Sequence, residues 1–313
     1  MEGDEMNTFL TRNTLHTCLS FLLLLLMTYS GRTQESPTST KVVPMYEADY
    51  MNQALKRVFR KAQAVTQVKD KALAGYGFDR TGACLWGTYL KVGSENTLEM
   101  VAEGGKSYFL IAAGDDFVKN IDIVVTDKNG RIVAKDTESG KEAGVLYKPQ
   151  YSGLCHVILR LKAGDRFGLC ALACLKRPNG WLLNKNKFAE TTDVFKRGIQ
   201  QWWKSYKGAA FLHNGDWSLV MGVLEPGKSL VWSHTVPAGL LGITTAHDGF
   251  ARDLDLYLRT PPGAYLKAAV KSGSTPSLTY LSTQGGTYSW EVKATSSKGP
   301  TLIAVALLEL PKR

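Results

Sequence analysis

The sequence has none of the short motifs that many enzyme families use for chemistry. It contains no Gly-x-Ser-x-Gly elbow, no His-Glu-x-x-His helix and no glycine-rich phosphate loop. Histidine is scarce, with five in 313 residues. His247 and Asp248 could suggest an acid/base pair, but no nucleophile accompanies them in a recognisable pattern. The sequence therefore predicts a protein that is not an enzyme and needs no cofactor, apart from the calcium considered below.

Long apolar runs are also missing, except for one near the start. Residues 19–27 form this run, Arg12 precedes it, and residues 28–30 offer small residues for cleavage, which is typical of a secretory signal peptide. The run is too short to span a bilayer comfortably. We expect residues 1–30 to be a signal peptide, with an uncleaved anchor as the alternative, and residues 31–44 to be a flexible leader. The mature chain would then be secreted or periplasmic, as in bacteria, without a transmembrane helix.

Acidic residues are few relative to basic ones. The formal net charge is +10, and without residues 1–30 the chain has 37 basic and 25 acidic residues, or +12. This balance favours anionic partners such as acidic glycans or envelope phosphates. The densest basic cluster is Lys56, Arg57, Arg60 and Lys61 on a predicted helix, where a solvated face is the preferred interpretation. No nucleic-acid-binding motif accompanies the cluster, so nucleic acid is not an expected partner.

The sequence repeats itself at a constant offset of 133 residues. Residues 113–125 align with residues 246–258, and the alignment continues without a gap through Tyr147 with Tyr280 and Gly153 with Gly286. The period has the size of a domain, not the 20–50 residues of a solenoid repeat, so it indicates two copies of one globular module. When a residue is found in only one copy, the fold of the module does not depend on it.

Each copy begins with a helical pattern and continues with short alternating runs. Helical spacing of apolar residues covers 47–72 and 190–206, the second with a possible cap at Thr192. Eight strand-like runs follow between residues 84 and 175, and eight more between 217 and 309. We predict a mainly β protein of two tandem antiparallel β-sandwich domains, jelly-roll-like, each preceded by an α-helix. The expected boundaries are 45–176 for the first repeat, 177–190 for a linker and 191–313 for the second repeat.

Cysteine is confined to the first repeat once the signal segment is removed. The second repeat has apolar or aromatic residues at the equivalent positions, so the cysteines are expected to point inward. An even number in an oxidising compartment predicts two disulfides, with free buried thiols as the alternative. Cys170 and Cys174 lie roughly 13 Å apart on one strand and cannot pair with each other. The feasible bridges join Cys84 to one of them and Cys155 to the other.

Two motifs resemble a known family of small sandwich domains. Residues 253–258 read Asp-Leu-Asp-Leu-Tyr-Leu, and residues 286–292 read Gly-Thr-Tyr-Ser-Trp-Glu-Val. The first repeat has related segments at 120–125 and 153–159, with Cys155 in place of the tyrosine. In these segments the chain is similar to the pre-peptidase C-terminal (PPC) domain family, β-sandwiches that accompany secreted bacterial hydrolases. The resemblance implies a sandwich fold, whereas no segment here is long enough to be a separate catalytic domain.

Acidic residues in the matching loops are candidates for a cation site. Some related sandwich modules bind calcium, and oxygen ligands could cluster at one end of each sandwich. A structural role, in which the carboxylates accept loop amides, is preferred, because Arg252 and Lys119 would compete with a cation. The candidate ligands are Asp115, Asp116, Asn120 and Asp122 in the first repeat and Asp248, Asp253 and Asp255 in the second.

Aromatic residues distinguish two possible functions. A module that binds an extracellular polymer should expose aromatic rings on a sheet face, with Trp86, Trp181, Trp232 and Trp290 as candidates, whereas a scaffold for protein contacts should bury them. Trp202 and Trp203 on the second helix could form a ligand platform, although packing on the domain is the preferred interpretation. The sequence predicts a secreted, non-catalytic binding protein for a cell-wall or extracellular polymer, in which two copies raise avidity. The alternatives are a structural envelope-assembly protein and an accessory protein of a secreted hydrolase.

Overall fold

The computed structural model describes residues 47–67, 74–79, 82–165, 167–178, 180–213, 216–260, 263–270, 273 and 275–311. The predicted signal peptide and leader, 1–30 and 31–44, lie outside the described residues. The helices are α1 (Glu47–Gln67) and α2 (Lys185–Ser205). None of the helices in the described ranges combines the length and apolar character needed to cross a bilayer.

The strands of the first repeat are β1 (Gly77–Phe78), β2 (Ala83–Lys91), β3 (Glu95–Ala102), β4 (Ser107–Gly114), β5 (Val118–Asp127), β6 (Ile132–Asp136), β7 (Glu142–Tyr147), β8 (Gly153–Gly164) and β9 (Phe167–Arg177). Those of the second are β10 (Ala210–Phe211), β11 (Trp217–Leu224), β12 (Ser229–Val236), β13 (Gly239–His247), β14 (Ala251–Arg259), β15 (Tyr265–Ala269), β16 (Ser277–Ser282), β17 (Gly286–Ser297) and β18 (Thr301–Leu310). The mainly β prediction is confirmed. The short β1 and β10 were not predicted.

Each repeat is a sandwich of two antiparallel sheets. The order is β2-β9-β4-β7 in one sheet and β3-β8-β5-β6 in the other. The second repeat has the same order, β11-β18-β13-β16 and β12-β17-β14-β15. This arrangement of eight strands is the jelly-roll topology, and it explains why the alternating pattern of one repeat recurs in the other.

The two repeats are joined in one sheet. β2 pairs with β11 in antiparallel register, with Trp86 opposite Val220 and Gly87 opposite Leu219. In the repeat alignment Leu219 is equivalent to Trp86 and Val220 is equivalent to Gly87. Exchanging the two repeats therefore reproduces the same residue pairs, as in a two-fold symmetric dimer. The large sheet therefore runs through both repeats, and Met45–Arg313 form one compact unit. The predicted arrangement of two separate domains is therefore not confirmed, because the repeats share a sheet.

The expected linker, 177–190, is largely built into this body. β9 continues to Arg177, Trp181 exchanges backbone hydrogen bonds with Phe78, and α2 begins at Lys185. Asn184 caps α2, because its side-chain oxygen accepts the Asn186 N–H at 2.7 Å. The cap expected at Thr192 is wrong, since Thr192 is buried within the helix.

The molecule has three layers. Both helices cover one face of the large sheet, with α1 on β4 and β9 and α2 on β13 and β18, and the two smaller sheets cover the other face. One apolar core lies between helices and sheet, and a second lies between the sheets; each extends through both repeats. Gly87 allows α1 to approach closely, because a Cβ there would lie 2.7 Å from Met51 Sδ.

A candidate anion-binding cleft between the helices

The two helices lie side by side and antiparallel on the large sheet. The rings of Phe59 and Phe188 stack with centroids 3.9 Å apart and planes inclined by 3°, and Asp49 of α1 forms an ion pair with Lys196 of α2. A cleft of about 410 Å³ opens between the middle of α1 and the start of α2, with both phenylalanines among the residues that line it. This volume is in the range of roughly 300–1,000 Å³ found for small-molecule sites.

The walls of the cleft are strongly basic. Lys56, Arg57 and Arg60 line it from α1, Lys185 lines it from α2, and Asp116 is the acidic side chain among the lining residues. Lys56, Arg60 and Lys185 are exposed, and among the described residues none of them has an acidic partner. The cleft therefore has an excess of positive charge that no described carboxylate compensates.

Arg57 is the basic residue of the cleft that the fold already uses. It donates a hydrogen bond to the Gly114 carbonyl at 2.6 Å and forms an ion pair with Asp116. The hydrogen bond that Arg57 donates to the Asp116 carboxylate holds the pKa of Asp116 below its usual range. Asp116 therefore stays ionised and neutralises Arg57, which leaves Lys56, Arg60 and Lys185 to face a ligand.

The N-terminus of α2 adds to the positive potential. Lys185 is the first residue of α2 and lies in the cleft, so the positive end of the helix dipole is close to the three free cations. Cationic side chains above a partly apolar floor can hold carboxylate, phosphate or sulfate groups. Sequence reasoning found the α1 cluster but interpreted it as a solvated face, because nothing in the sequence shows that Lys185 folds beside it.

The predicted tryptophan platform is not formed. Trp86 and Trp290 are buried in the core between the sheets, Trp290 completely. Trp86 packs near Trp217 at the junction of the repeats, with ring centroids 6.5 Å apart. Trp181 and Trp232 are half-buried. The prediction fails for Trp86 of β2 and Trp290 of β17 because both side chains point into the core between the large sheet and the smaller sheets.

Acidic residues at equivalent loop positions accept backbone amide hydrogen bonds in both repeats. Asp115 accepts the Phe117 and Leu169 amides at 2.9 Å each. Asp248, its equivalent, accepts the amides of Phe250 and Leu302 at 3.2 and 3.0 Å. Burial raises the pKa of Asp115, and the backbone amides oppose that shift. These bonds support the structural role that the sequence favoured for both carboxylates.

Of the remaining candidate ligands, one pair makes the same contact in both repeats and the other pair does not. Asn120 and Asp253 accept equivalent amides, those of Gly140 and Gly273, at 3.1 Å each. Asp255 accepts hydrogen bonds from the Tyr257 and Thr295 hydroxyls, at 3.0 and 2.8 Å. Asp122 is buried, its Oδ1 has no hydrogen-bond partner in the described part of the chain, and burial raises its pKa. The described residues contain no group of three or more candidate ligands that could hold a metal ion.

The four cysteines are free and buried, so the two expected disulfides are absent from the described part of the chain. Cys84 packs in the core under the helices, whereas Cys155, Cys170 and Cys174 pack in the core between the sheets. Cys155 Sγ lies 3.4 Å from the Met100 carbonyl oxygen, and Cys174 Sγ lies 3.8 Å from Met100 Sδ. Burial raises the pKa of Cys155 to about 11 and that of Cys174 to about 12. The thiols act as small buried hydrophobes, the alternative that the sequence left open.

The histidines are tied to local structure. His247 Nδ1 accepts the Gly249 amide at 2.9 Å, and burial lowers the pKa of this imidazole. His234 is buried in the second sandwich, with Nδ1 3.2 Å from Asp216. Burial lowers the pKa of His234 as well. Neither ring lines the basic cleft.

No family model matches the chain, and no curated protein matches it. Among the solved structures that match is PliG, a periplasmic inhibitor of g-type lysozyme from Aeromonas hydrophila, 16% identical over 32% of this chain and 89% of its own, with a TM-score of 0.22. YhaK from Escherichia coli is 13% identical over 76% and 91%, with a TM-score of 0.19. The Pleurotus ostreatus lectin is 13% identical over 74% and 79%, also at 0.19. Scores this low carry no inference about function.

Proposed function

We propose that the protein is a secreted or periplasmic, non-catalytic binding protein whose basic cleft holds an anionic polymer of the cell envelope or extracellular space. The observation that carries this proposal is the convergence of Lys56, Arg60 and Lys185 on one cleft without acidic partners among the described residues. The resemblance to the PPC family supports the same class of secreted sandwich module.

The cleft has the properties that an anionic ligand needs. Its cations come from two helices that Phe59 and Phe188 hold together, so their spacing is set before a ligand arrives. The overall excess of basic residues raises the encounter rate with an anionic polymer. The binding site therefore belongs to the helix face, not to the tryptophan-bearing sheet face that the sequence suggested.

A second candidate function, assembly through protein contacts, is favoured by a different observation. β6 and β15 are edge strands of the two smaller sheets, and each exposes an apolar pair at the same place in its repeat. The exposed fractions are 55% and 42% for Ile132 and Val133, and 61% and 41% for Tyr265 and Leu266. Exposed apolar edges are common at protein interfaces. This surface is compatible with polymer binding, because it lies on the layer opposite the helices.

Binding of defined polymers tests the proposal. The probes are polygalacturonate and dextran sulfate, with neutral dextran as the uncharged control, and affinity is measured by calorimetry at increasing salt. The cleft variant is Lys56→Gln/Arg60→Gln/Lys185→Gln. The matched control removes the same charge from exposed lysines elsewhere in the first repeat: Lys91→Gln, Lys128→Gln and Lys148→Gln.

We expect saturable binding of at least one polyanion that weakens as salt screens the charges. The cleft variant should lose affinity by about tenfold or more, equivalent to about 1.4 kcal/mol, while the control variant should stay close to the unaltered protein. Equal losses in the two variants would mean that only net charge matters. That result, or no binding to either polyanion, would contradict the assignment to the cleft.

A further inference from the structure

A second cleft, of about 450 Å³, lies beyond α2 on the outer part of the large sheet. Its residues come from the second half of α2 and its C-cap, from β13, and from the start of β16 and the segment just before it. Arg197, Gln201 and Ser205 follow one another at four-residue spacing, so they form a polar stripe on one side of the helix. Thr244, Thr275 and Ser277 line the cleft from the sheet side.

Two aromatic rings line the same cleft. Trp202 and Tyr206 are one helical turn apart, with ring centroids 5.6 Å apart and planes inclined by 31°. Both side chains are half-buried, so each ring packs on the protein on one side and remains partly accessible on another. The cleft thus combines an apolar aromatic surface with hydroxyl, amide and guanidinium groups.

Gly198 preserves the space between helix and sheet. A Cβ at this position would lie 3.1 Å from Thr244 Oγ1. A glycine inside a helix destabilises it by roughly 0.5–1 kcal/mol relative to alanine. The tight contact gives a physical reason for the glycine, because any side chain there would press on Thr244 and fill the inner part of the cleft.

The first repeat shows that the fold does not require this polar lining. The equivalents of Thr244, Thr275 and Ser277 are Ile111, Glu142 and Gly144, which hold the same places in β4 and β7. In the first repeat Glu142 forms an ion pair with Lys61 of α1 at 3.3 Å. Thr275 offers no such charge. The hydroxyls of Thr244 and Ser277 are therefore features of the second repeat, in a fold that is also formed with isoleucine and glycine at the equivalent positions.

We propose that this cleft binds one ring of a saccharide. A pyranose ring presents an apolar C–H face, which packs on an aromatic ring, and a rim of hydroxyls that need hydrogen-bond partners. Trp202 and Tyr206 supply the aromatic surface, while Gln201, Thr244 and Ser277 supply the polar groups. A purely apolar ligand would leave those polar groups desolvated and unpaired, at a cost in affinity. The site differs in chemistry from the basic cleft and does not depend on the function proposed for it.

The test measures binding of three tetrasaccharides to the full chain by calorimetry and tryptophan fluorescence. The probes are the β-1,4-linked tetramers of glucose and of N-acetylglucosamine, and the tetramer of galacturonic acid. Two variants alter the cleft, Trp202→Ala and Thr244→Ile, the latter with the residue that the first repeat has there. Trp202→Phe keeps an aromatic ring, and Tyr151→Ala removes an exposed ring remote from the cleft, with 76% of that residue exposed. Near-ultraviolet circular dichroism confirms that each variant is folded.

We expect at least one tetramer to bind saturably. Trp202→Ala and Thr244→Ile should each weaken that binding by about tenfold or more, whereas Trp202→Phe and Tyr151→Ala should change it less than about threefold. The cleft variant Lys56→Gln/Arg60→Gln/Lys185→Gln should bind neutral tetramers normally, which separates this proposal from the preceding one. No binding by any tetramer overturns the proposal. So does binding that Thr244→Ile leaves unchanged, because that variant keeps a residue compatible with the fold.

Discussion

A core substitution in the second repeat should expose cysteines that lie only in the first. The repeats share a sheet through β2 and β11 and share both apolar cores. If these contacts make Met45–Arg313 unfold as one unit, loss of stability anywhere in the unit raises the population in which every buried thiol is exposed. The four cysteines of the first repeat are therefore reporters of events in the second.

The matched perturbations are Ile123→Ala in β5 and Leu256→Ala in β14. These residues occupy equivalent positions in the two smaller sheets, and both are completely buried. Truncating a buried Ile or Leu to Ala removes apolar contacts and leaves a cavity, which costs about 2–5 kcal/mol. Because about 1.4 kcal/mol corresponds to a factor of ten, the population of the unfolded state should rise by about 30-fold to several thousand-fold in each variant.

The assay follows thiol labelling under native conditions in a chain that carries Cys18→Ser, since Cys18 lies outside the described residues. Cys84 and Cys170 are completely buried, and burial raises the pKa of both thiols, so labelling requires opening. When reclosing is faster than labelling, the rate reports the opening equilibrium. Both variants should accelerate labelling by similar factors, and urea unfolding should show one transition. Acceleration by Ile123→Ala with no effect of Leu256→Ala would refute the shared unit and restore two independent domains.

Two further predictions concern the acidic residues. Burial raises the pKa of Asp122, so the folded state holds the carboxyl proton more tightly than the unfolded state. The free energy of unfolding should therefore fall as pH rises from about 3.9 through the folded pKa. Asp122→Asn should remove the contribution of Asp122 to that fall, measured by urea titrations between about pH 4 and 7. A steeper fall in the variant would contradict this sign. The midpoints of thermal unfolding in millimolar calcium and in excess chelator should be the same, because the Asp115 and Asp248 carboxylates already accept two backbone amide hydrogen bonds each. A midpoint that rises with calcium would instead indicate a stabilising calcium site.

Local pattern was sufficient to find eight strands of each repeat and both helices, but not β1, β10 or the start of α2. Alternation of apolar and polar residues reflects the two faces of a strand, and the duplication repeated that signal at matching places, which is why the runs between residues 84 and 175 correspond to β2 through β9. The start of α2 was missed because Phe188 and Lys187 precede the most regular part of the helical pattern. Asn184 was the signal that could have located it, as a capping residue directly before the helix.

The functional surfaces were harder to infer because they join residues that are distant in sequence. Lys56 and Lys185 meet only after both helices have packed on one sheet, and Thr244 and Trp202 meet only through the packing of α2 on β13. Residue type was informative but ambiguous, since an aromatic or basic residue serves packing and binding equally well. The tryptophans illustrate this, because Trp290 is a core residue while Trp202, interpreted as packing, lines a cleft.

The junction of the repeats did leave a signal in the sequence. In a jelly roll with the order found here, β2 and β11 are each at the end of their own sheet. An exposed sheet end is normally protected by charged residues or by a very short strand. β11 is eight residues long, without a charged residue, and is buried throughout, and most of β2 is also apolar and buried. Two unprotected edge strands each need a neighbouring strand, and in this duplicated chain β2 and β11 pair with each other. Pairing them removes both exposed ends at once, which is the physical reason to expect the repeats to unfold together.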